Sequence, residues 1–190
     1  MNRISDHLIQ FMWIAWGAYW YISSFSASAP KRVQSAGKRL SYRVEMLVAA
    51  AFLAFPQLSF GWLGYGILPR SRALYWLAVA VVATGLGFAV WARVHLGEYW
   101  SGHVTLKPGH RLIRTGPYSI VRHPIYTGIL LGFVGTALAV DNVAALLSIA
   151  ILLHATIPKM RLEEKWLTEE FGEEYQRYRR EVKALVPFVV

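Results

Sequence analysis

Residues 124–158 read PIYTGILLGFVGTALAVDNVAALLSIAILLHATIP, thirty-five positions broken in polarity chiefly by Asp141-Asn142. About twenty apolar residues cross a hydrocarbon core roughly 30 Å thick, so this block is too long for one crossing. Asp and Asn favour turns and helix starts over helix interiors. The stretch therefore predicts a helical hairpin, Pro124–Val140 followed by Val143–Pro158. Upstream, three further apolar blocks predict one span each: Leu8–Phe25, Val44–Leu68 and Ala73–Ala92. The expected fold is an all-α integral membrane protein with about five transmembrane helices, the last two a hairpin, plus a cytoplasmic C-terminal amphipathic helix.

Composition agrees. Of 190 residues, 55% are hydrophobic and only 16% charged, below the quarter or so usual in soluble domains. The absence of cysteine excludes disulfides, thiolate nucleophiles and Cys-based metal sites. The formal charge of +9 is confined to patches between apolar runs, and no zinc pattern or basic groove motif suggests nucleic acid. Lys31, Arg32, Lys38, Arg39 and Arg43 follow the first block, and Lys107, Arg111, Arg114 and Arg122 follow the third. Lys159, Arg161, Lys165, Arg177, Arg179, Arg180 and Lys183 follow the last. Five spans put all three groups on one side, against Arg3, Arg70 and Arg72 on the other. The positive-inside rule then places the amino terminus outside and the tail in the cytoplasm. Ala27-Ser28-Ala29 resembles a signal-peptidase site, but the basic cluster follows the apolar block instead of preceding it, which suits a retained helix. The glycines of GWLGYG and TGLGF do not match a nucleotide fingerprint and suit close helix packing.

The polar residues cluster at the two borders of the hairpin. At its start, Pro124 fits the first helical position and pushes His123 out of helical geometry. The first N–H groups of that helix lack acceptors and carry partial positive charge, which makes an anion site. Tyr126 lies in the first turn, Gly116-Pro117 presents Tyr118 toward the same mouth, and His110, Arg114 and Arg122 surround it. At the far border Glu163 and Glu164 sit one turn past the span, where poorly solvated carboxylates need a cationic partner. If the two borders meet, the resulting cup has one place for a carboxylate and one for an ammonium group, together an amino-acid moiety. Behind it, Trp166, Leu167, Phe171, Tyr175, Tyr178 and Val182 mark one face of a helix. His154, inside the last arm, is expected to snorkel to the interface. His95, Glu98, Trp100 and His103 lie in the loop before the site and are candidates for an acceptor entrance.

GHRLIRTGPYSIVRHPIYTG (109–128) with EEKWLTEEFGEEYQRYRREVKALVPF (163–188) resembles the isoprenylcysteine carboxyl methyltransferases and the wider phospholipid methyltransferase group. The resemblance divides the single domain into three N-terminal spans (1–94) and a catalytic region (95–190). It implies S-adenosyl-L-methionine as cofactor, held by His110, Arg111, Leu112, Ile113, Tyr118, His123, Pro124, Ile125, Tyr126 and Glu163, with Arg122 and Glu164 as further candidates. It implies a lipid-like acceptor at the bilayer, most simply an isoprenylcysteine carboxylate, with no metal, no covalent intermediate and no obligate protein partner. The family places an arginine four residues before the glutamate, near the acceptor carboxylate. This chain has Lys159 there and Arg161 two residues later, and lysine lacks the guanidinium fork. Amine methylation of a phospholipid headgroup is the nearest alternative. An NADPH-dependent sterol reductase, whose tail is related, and a non-catalytic membrane protein belong to other classes.

Overall fold

The structure is a computed structural model that describes residues 7–25, 32–33, 35–69, 71–97, 100, 105–106 and 112–187. Its helices are α1 (Leu8–Ser24), α2 (Ala36–Ala54), α3 (Arg72–Leu96), α4 (Pro124–Val140), α5 (Val143–Phe171) and α6 (Glu173–Glu181). Short 3-10 turns occupy Pro56–Leu58, Gly61–Gly64 and Gly116–Ser119. The two-residue strands β1 (Arg32–Val33) and β2 (Thr105–Leu106) pair antiparallel and join the segments that follow α1 and α3.

The break at Asp141-Asn142 falls where turn chemistry places it. Asp141 adopts left-handed geometry (φ 51°), and the Asn142 side chain caps α5 by accepting from the Ala145 N–H at 2.8 Å. The Asp141 carboxylate also accepts from the N–H groups of Ile67 (3.0 Å) and Leu68 (2.8 Å), which anchors the segment before α3 at this end.

Small residues bring α3 and α4 together. A Cβ on Gly85 would stand 2.6 Å from the Gly128 carbonyl oxygen, and one on Gly135 2.9 Å from that of Ala78. A Cβ on Gly128 would collide with the Gly85 carbonyl. Gly87 faces open space. Across this pair lies α1: Trp13 packs on Gly132 and Phe133, and its indole N–H donates to Thr136 Oγ1 at 2.9 Å. A second buried cluster of Ala49, Leu53, Ile129, Phe133, Ala137, Ala145 and Leu152 joins α2, α4 and α5.

The helices alternate in direction. At one end the buried Arg93 guanidinium donates to the carbonyls of Ser23 (2.6 Å) and Gly97 (2.9 Å) and stacks 4.3 Å from the Trp100 ring. The ends of α1 and α3 therefore meet. Lys159 on α5 lies over Tyr42 near the start of α2, so these two helices run antiparallel. Outward-facing Phe11, Ile14, Leu47, Trp76, Leu77, Trp91 and Leu146 are exposed. An apolar exterior on this scale is foreign to a monomer in water. Among the described residues two helices, Arg72–Leu96 and Val143–Phe171, are long and apolar enough to cross a membrane.

Four expectations need correction. The block Val44–Leu68 is not one helix: α2 begins at Ala36, includes Lys38, Arg39, Arg43 and Glu45, and ends at Ala54 ahead of Pro56, which forces Phe55 out of helical geometry. The glycines of GWLGYG line 3-10 and extended backbone instead of a helix seam; Gly66 makes room for the Asp141 carboxylate. Pro158 does not end α5, which continues to Phe171. The missing N–H costs one bond, to the His154 carbonyl, while Lys159 and Met160 just beyond are buried. The tail is two helices, because Gly172 at φ 53° interrupts it.

The seam yields a paired prediction. Gly85→Ala and Gly128→Ala each destabilise the protein by about 1–3 kcal/mol through overpacking. Gly87→Ala, two residues from Gly85 but on the open face, is neutral or slightly stabilising. Unfolding in mixed micelles separates them, and equal effects at Gly85 and Gly87 contradict the packing described.

Candidate active site

Two chain segments cross at the junction before α4. His123 (φ −122°) ends the loop, and Pro124 opens the helix without any side-chain cap. The N–H groups of Ile125 and Tyr126 thus have no acceptor within the helix, as at any helix start. The residues after α6 run alongside as a strap. The N–H groups of Arg122 and His123 donate to the carbonyls of Lys183 (2.8 Å) and Ala184 (3.0 Å), and Thr127 Oγ1 donates to that of Leu185 (2.8 Å). Tyr178 on α6 reinforces the crossing, its buried hydroxyl donating to the Tyr118 carbonyl at 2.5 Å. Beneath the loop, His95 stacks on Tyr118 and bonds Thr115 Oγ1 at 2.9 Å. Gly116 takes φ 58° directly against the His95 ring, where a Cβ would come within 2.8 Å.

The crossing is locked to α5 by one carboxylate. Glu164 Oε1 receives Arg122 Nε (2.9 Å), Arg122 Nη2 (2.8 Å) and His123 Nε2 (3.1 Å), while Arg179 Nε approaches Oε2 at 3.4 Å. The Glu164 side chain is only 13% exposed. Burial alone raises its pKa, but the hydrogen bonds from His123 and Arg122 and the charges of both outweigh burial and hold it down to about 2. Glu164 lies beyond the apolar stretch of α5, which ends at Pro158.

Its neighbour Glu163 faces a different set of groups. It makes no hydrogen bond or ion pair with another described residue. Its charge acts on the phenols of Tyr42, Tyr118 and Tyr126 and on Lys159. Burial first, and then this charge, pushes the Tyr118 phenol well above its ordinary range. The Lys159 ammonium is buried, 4.2 Å from the Tyr42 ring centre and 5.6 Å from that of Tyr126. Three tyrosines, one carboxylate and one ammonium thus gather near the start of α4, hereafter the tyrosine cup.

The sequence-predicted residues fall into distinct groups. Tyr118, His123, Pro124, Tyr126, Lys159 and Glu163 come together. Leu112 and Ile113 are half-buried in the loop leading to this region, and His110 and Arg111 lie outside the described residues. Ile125 packs toward the α2–α4–α5 core. Arg161 is exposed, two residues from Lys159 and so nearly opposite it on the helix. Of the arginines expected around the mouth, Arg122 is paired with Glu164, and Arg114 pairs with Glu181 and lies over Tyr178. His154 does not simply snorkel, since its Nδ1 meets Glu45 at 2.9 Å. Of the proposed entrance residues, His95 supports the turn and Trp100 covers Arg93, while Glu98 and His103 lie outside the described residues. Tyr42, Arg179 and the 182–185 strap were not anticipated. Tyr42 stands in a basic stretch with no periodic or motif signal, and only the docking of α2 on α5 brings it in.

The depressed Glu164 pKa has a defined consequence for stability. Its contribution is fully present above the unfolded carboxyl value near 4.5 and is lost as pH falls toward about 2. The melting temperature of the wild-type protein in detergent therefore drops across that window more steeply than that of Glu164→Gln, which is already less stable at pH 7. Parallel profiles for the two proteins contradict the clamp.

Comparison with known proteins supplies the family. The phospholipid methyltransferase profile matches residues 73–174. A probable protein-S-isoprenylcysteine O-methyltransferase from Oryza sativa subsp. indica is 31% identical over 112 residues, 58% of this chain and 53% of the relative. The protein-S-isoprenylcysteine O-methyltransferase of Schizosaccharomyces pombe is 33% identical over 101 residues, 52% of this chain and 43% of the relative. A methanethiol S-methyltransferase from a Pseudomonas species is 36% identical over 120 residues, 60% of this chain and 44% of the relative. The chain spans about half the length of the curated relatives it matches. Among solved structures, the eukaryotic intramembrane Ras methyltransferase, isoprenylcysteine carboxyl methyltransferase, shares the fold at a TM-score of 0.57 and 23% identity. That match covers 100% of this chain and 70% of the other. With the profile spanning more than half of its residues, including α3 to α5 and the Glu163-Glu164 pair, the chain belongs to the phospholipid methyltransferase family.

Proposed function

We propose that the protein is an integral membrane methyltransferase that uses S-adenosyl-L-methionine and acts on a lipid-like acceptor at the cytoplasmic face. The observation that carries this reading is the convergence of Glu163 and the uncapped start of α4 on one tyrosine-walled cup. Glu163 suits the cofactor's ammonium group, and the N–H groups of Ile125 and Tyr126 suit its carboxylate. Tyr118, Leu112 and Ile113 then border its remaining surface, with His110 and Arg111 next in the chain. The reading includes five crossings, the last two a hairpin, and the alternating directions of α1 to α5 support it. The amino terminus is outside and the tail inside, because the basic segments gather at the end that holds Arg93, His123 and Lys159.

When bound, the cofactor supplies a methyl group already activated on a sulfonium. The chain's residues need only hold donor and acceptor in line, which is worth up to roughly 7–11 kcal/mol of barrier. Burial by Tyr42, Tyr118 and Tyr126 excludes water from the cup and weakens the solvation of an incoming nucleophile. Lys159 provides the cation for an acceptor carboxylate, and the isoprenylcysteine O-methyltransferase names of the relatives favour that acceptor. A second reading rests on the methanethiol S-methyltransferase relative. Lys159 is a point charge in place of the family's guanidinium fork, which suits a thiolate as well as a carboxylate.

Titration of the detergent-purified protein with S-adenosyl-L-methionine tests the cofactor assignment. Glu163→Gln weakens binding by about 10–100-fold, the value of one charge-assisted hydrogen bond. Unchanged affinity, or binding of NADPH in its place, overturns it. A labelled-methyl assay with a prenylcysteine analogue, phosphatidylethanolamine and methanethiol then ranks the acceptors, and the prenylcysteine is expected to lead.

A further inference from the structure

A second polar feature lies outside the tyrosine cup. A cleft of about 430 Å³ is lined by Arg122, Gln176, Arg179, Arg180, Lys183 and Ala184. None of these residues surrounds Glu163. Four cations thus share a space with no carboxylate among its described lining residues, and Glu164, which pairs with two of them, is already engaged by Arg122, His123 and Arg179. The end of α6 does not account for the excess, because its Arg179 and Val182 carbonyls accept from Arg122. Nor do the acids of α6: Glu173 and Glu174 occupy the opposite end, and Glu181 pairs with Arg114. Arg180 and Lys183 are exposed and make no ion pair with a described residue.

We propose that this cleft binds the phosphate of an anionic phospholipid headgroup. Its size is within the range of small-ligand sites, and its donors (guanidinium, ammonium and the Gln176 amide) are those that recognise phosphate oxygens. A lipid source, in preference to free phosphate, follows from position. The cleft is walled by α6, the strap after it and Arg122 beside the start of α4, at the basic end of the helices, and Val186, two residues past Ala184, is exposed. Cytoplasmic leaflets carry negative surface charge that draws such basic segments. The proposal rests on the membrane orientation given above and not on the identity of the methyl acceptor. Because Arg122 and Arg179 line the cleft and also hold Glu164, a headgroup there braces the clamp from outside.

The test uses the full chain in non-ionic detergent, with affinities from native mass spectrometry. Dioctanoyl phosphatidylglycerol binds about tenfold or more tightly than dioctanoyl phosphatidylcholine. Arg180→Gln with Lys183→Gln abolishes that preference, whereas Arg177→Gln with Lys165→Gln, which removes the same charge elsewhere, retains it. If the first pair lowers the melting temperature, Lys183→Gln alone replaces it, since Lys183 lies beyond α6. Equal affinity for the two lipids, equal loss in the control pair, or displacement of the lipid by millimolar inorganic phosphate overturns the proposal. Cofactor titration on the same samples reports separately on the methyltransferase reading.

Discussion

Glu164 is a carboxylate largely withdrawn from water, and two guanidinium groups and an imidazole from two parts of the chain close on it. Arg122 and His123 come from the loop before α4, Arg179 comes from α6, and Glu164 itself stands on α5. Removing one partner from such a set leaves a charge buried and uncompensated, which costs several kcal/mol. The set therefore ties α5 to the loop before α4 and to α6, alongside the strap bonds, the Tyr178 hydroxyl and the Arg114–Glu181 pair that join the loop to the tail. Everything chemically suggestive about the cup depends on this placement. Glu163, one residue away, bonds no other described residue and lies within electrostatic reach of Tyr118 and Tyr126 because Glu164 holds α5 against the junction.

The helices beneath provide a rigid floor. Glycine contacts let the backbones of α3 and α4 approach closely, and Trp13 of α1 closes over them. In a bilayer, apolar side chains gain little by leaving lipid, so tight backbone packing and interhelical hydrogen bonds must supply the association. The Trp13–Thr136 bond and the Asp141 contacts to Ile67 and Leu68 are of this kind. They sit away from the cup, toward the opposite end, and leave the His123 end free for polar chemistry.

Features governed by local physics were legible in the sequence. Asp141-Asn142 broke the apolar block because these side chains compete for backbone groups, and His123-Pro124 marked a helix start because proline fixes φ and lacks an N–H. Gly85 belonged to a seam, as TGLGF suggested. Features decided by tertiary contact were not legible. Pro158 was read as a terminus, yet a single lost hydrogen bond does not stop a helix whose next residues, Lys159 and Met160, are buried. The apolar pattern started the second span at Val44, but α2 begins at Ala36 and takes Lys38, Arg39 and Arg43 into its first turns. Glu163 and Glu164 are chemically identical in sequence, and only their angular separation on α5 assigns one to the clamp and the other to the cup. Tyr42 carried no signal at all, since its role depends on α2 meeting α5 from more than a hundred residues away.

The dependence of the cup on the clamp can be measured as a coupling. In a double-mutant cycle of Arg122→Gln and Glu164→Gln, read as S-adenosyl-L-methionine affinity of folded protein, each single change weakens binding. The double variant is then no worse than the weaker single, because both remove one shared constraint. Wild-type affinity in folded Glu164→Gln, or strictly additive losses, would contradict the account.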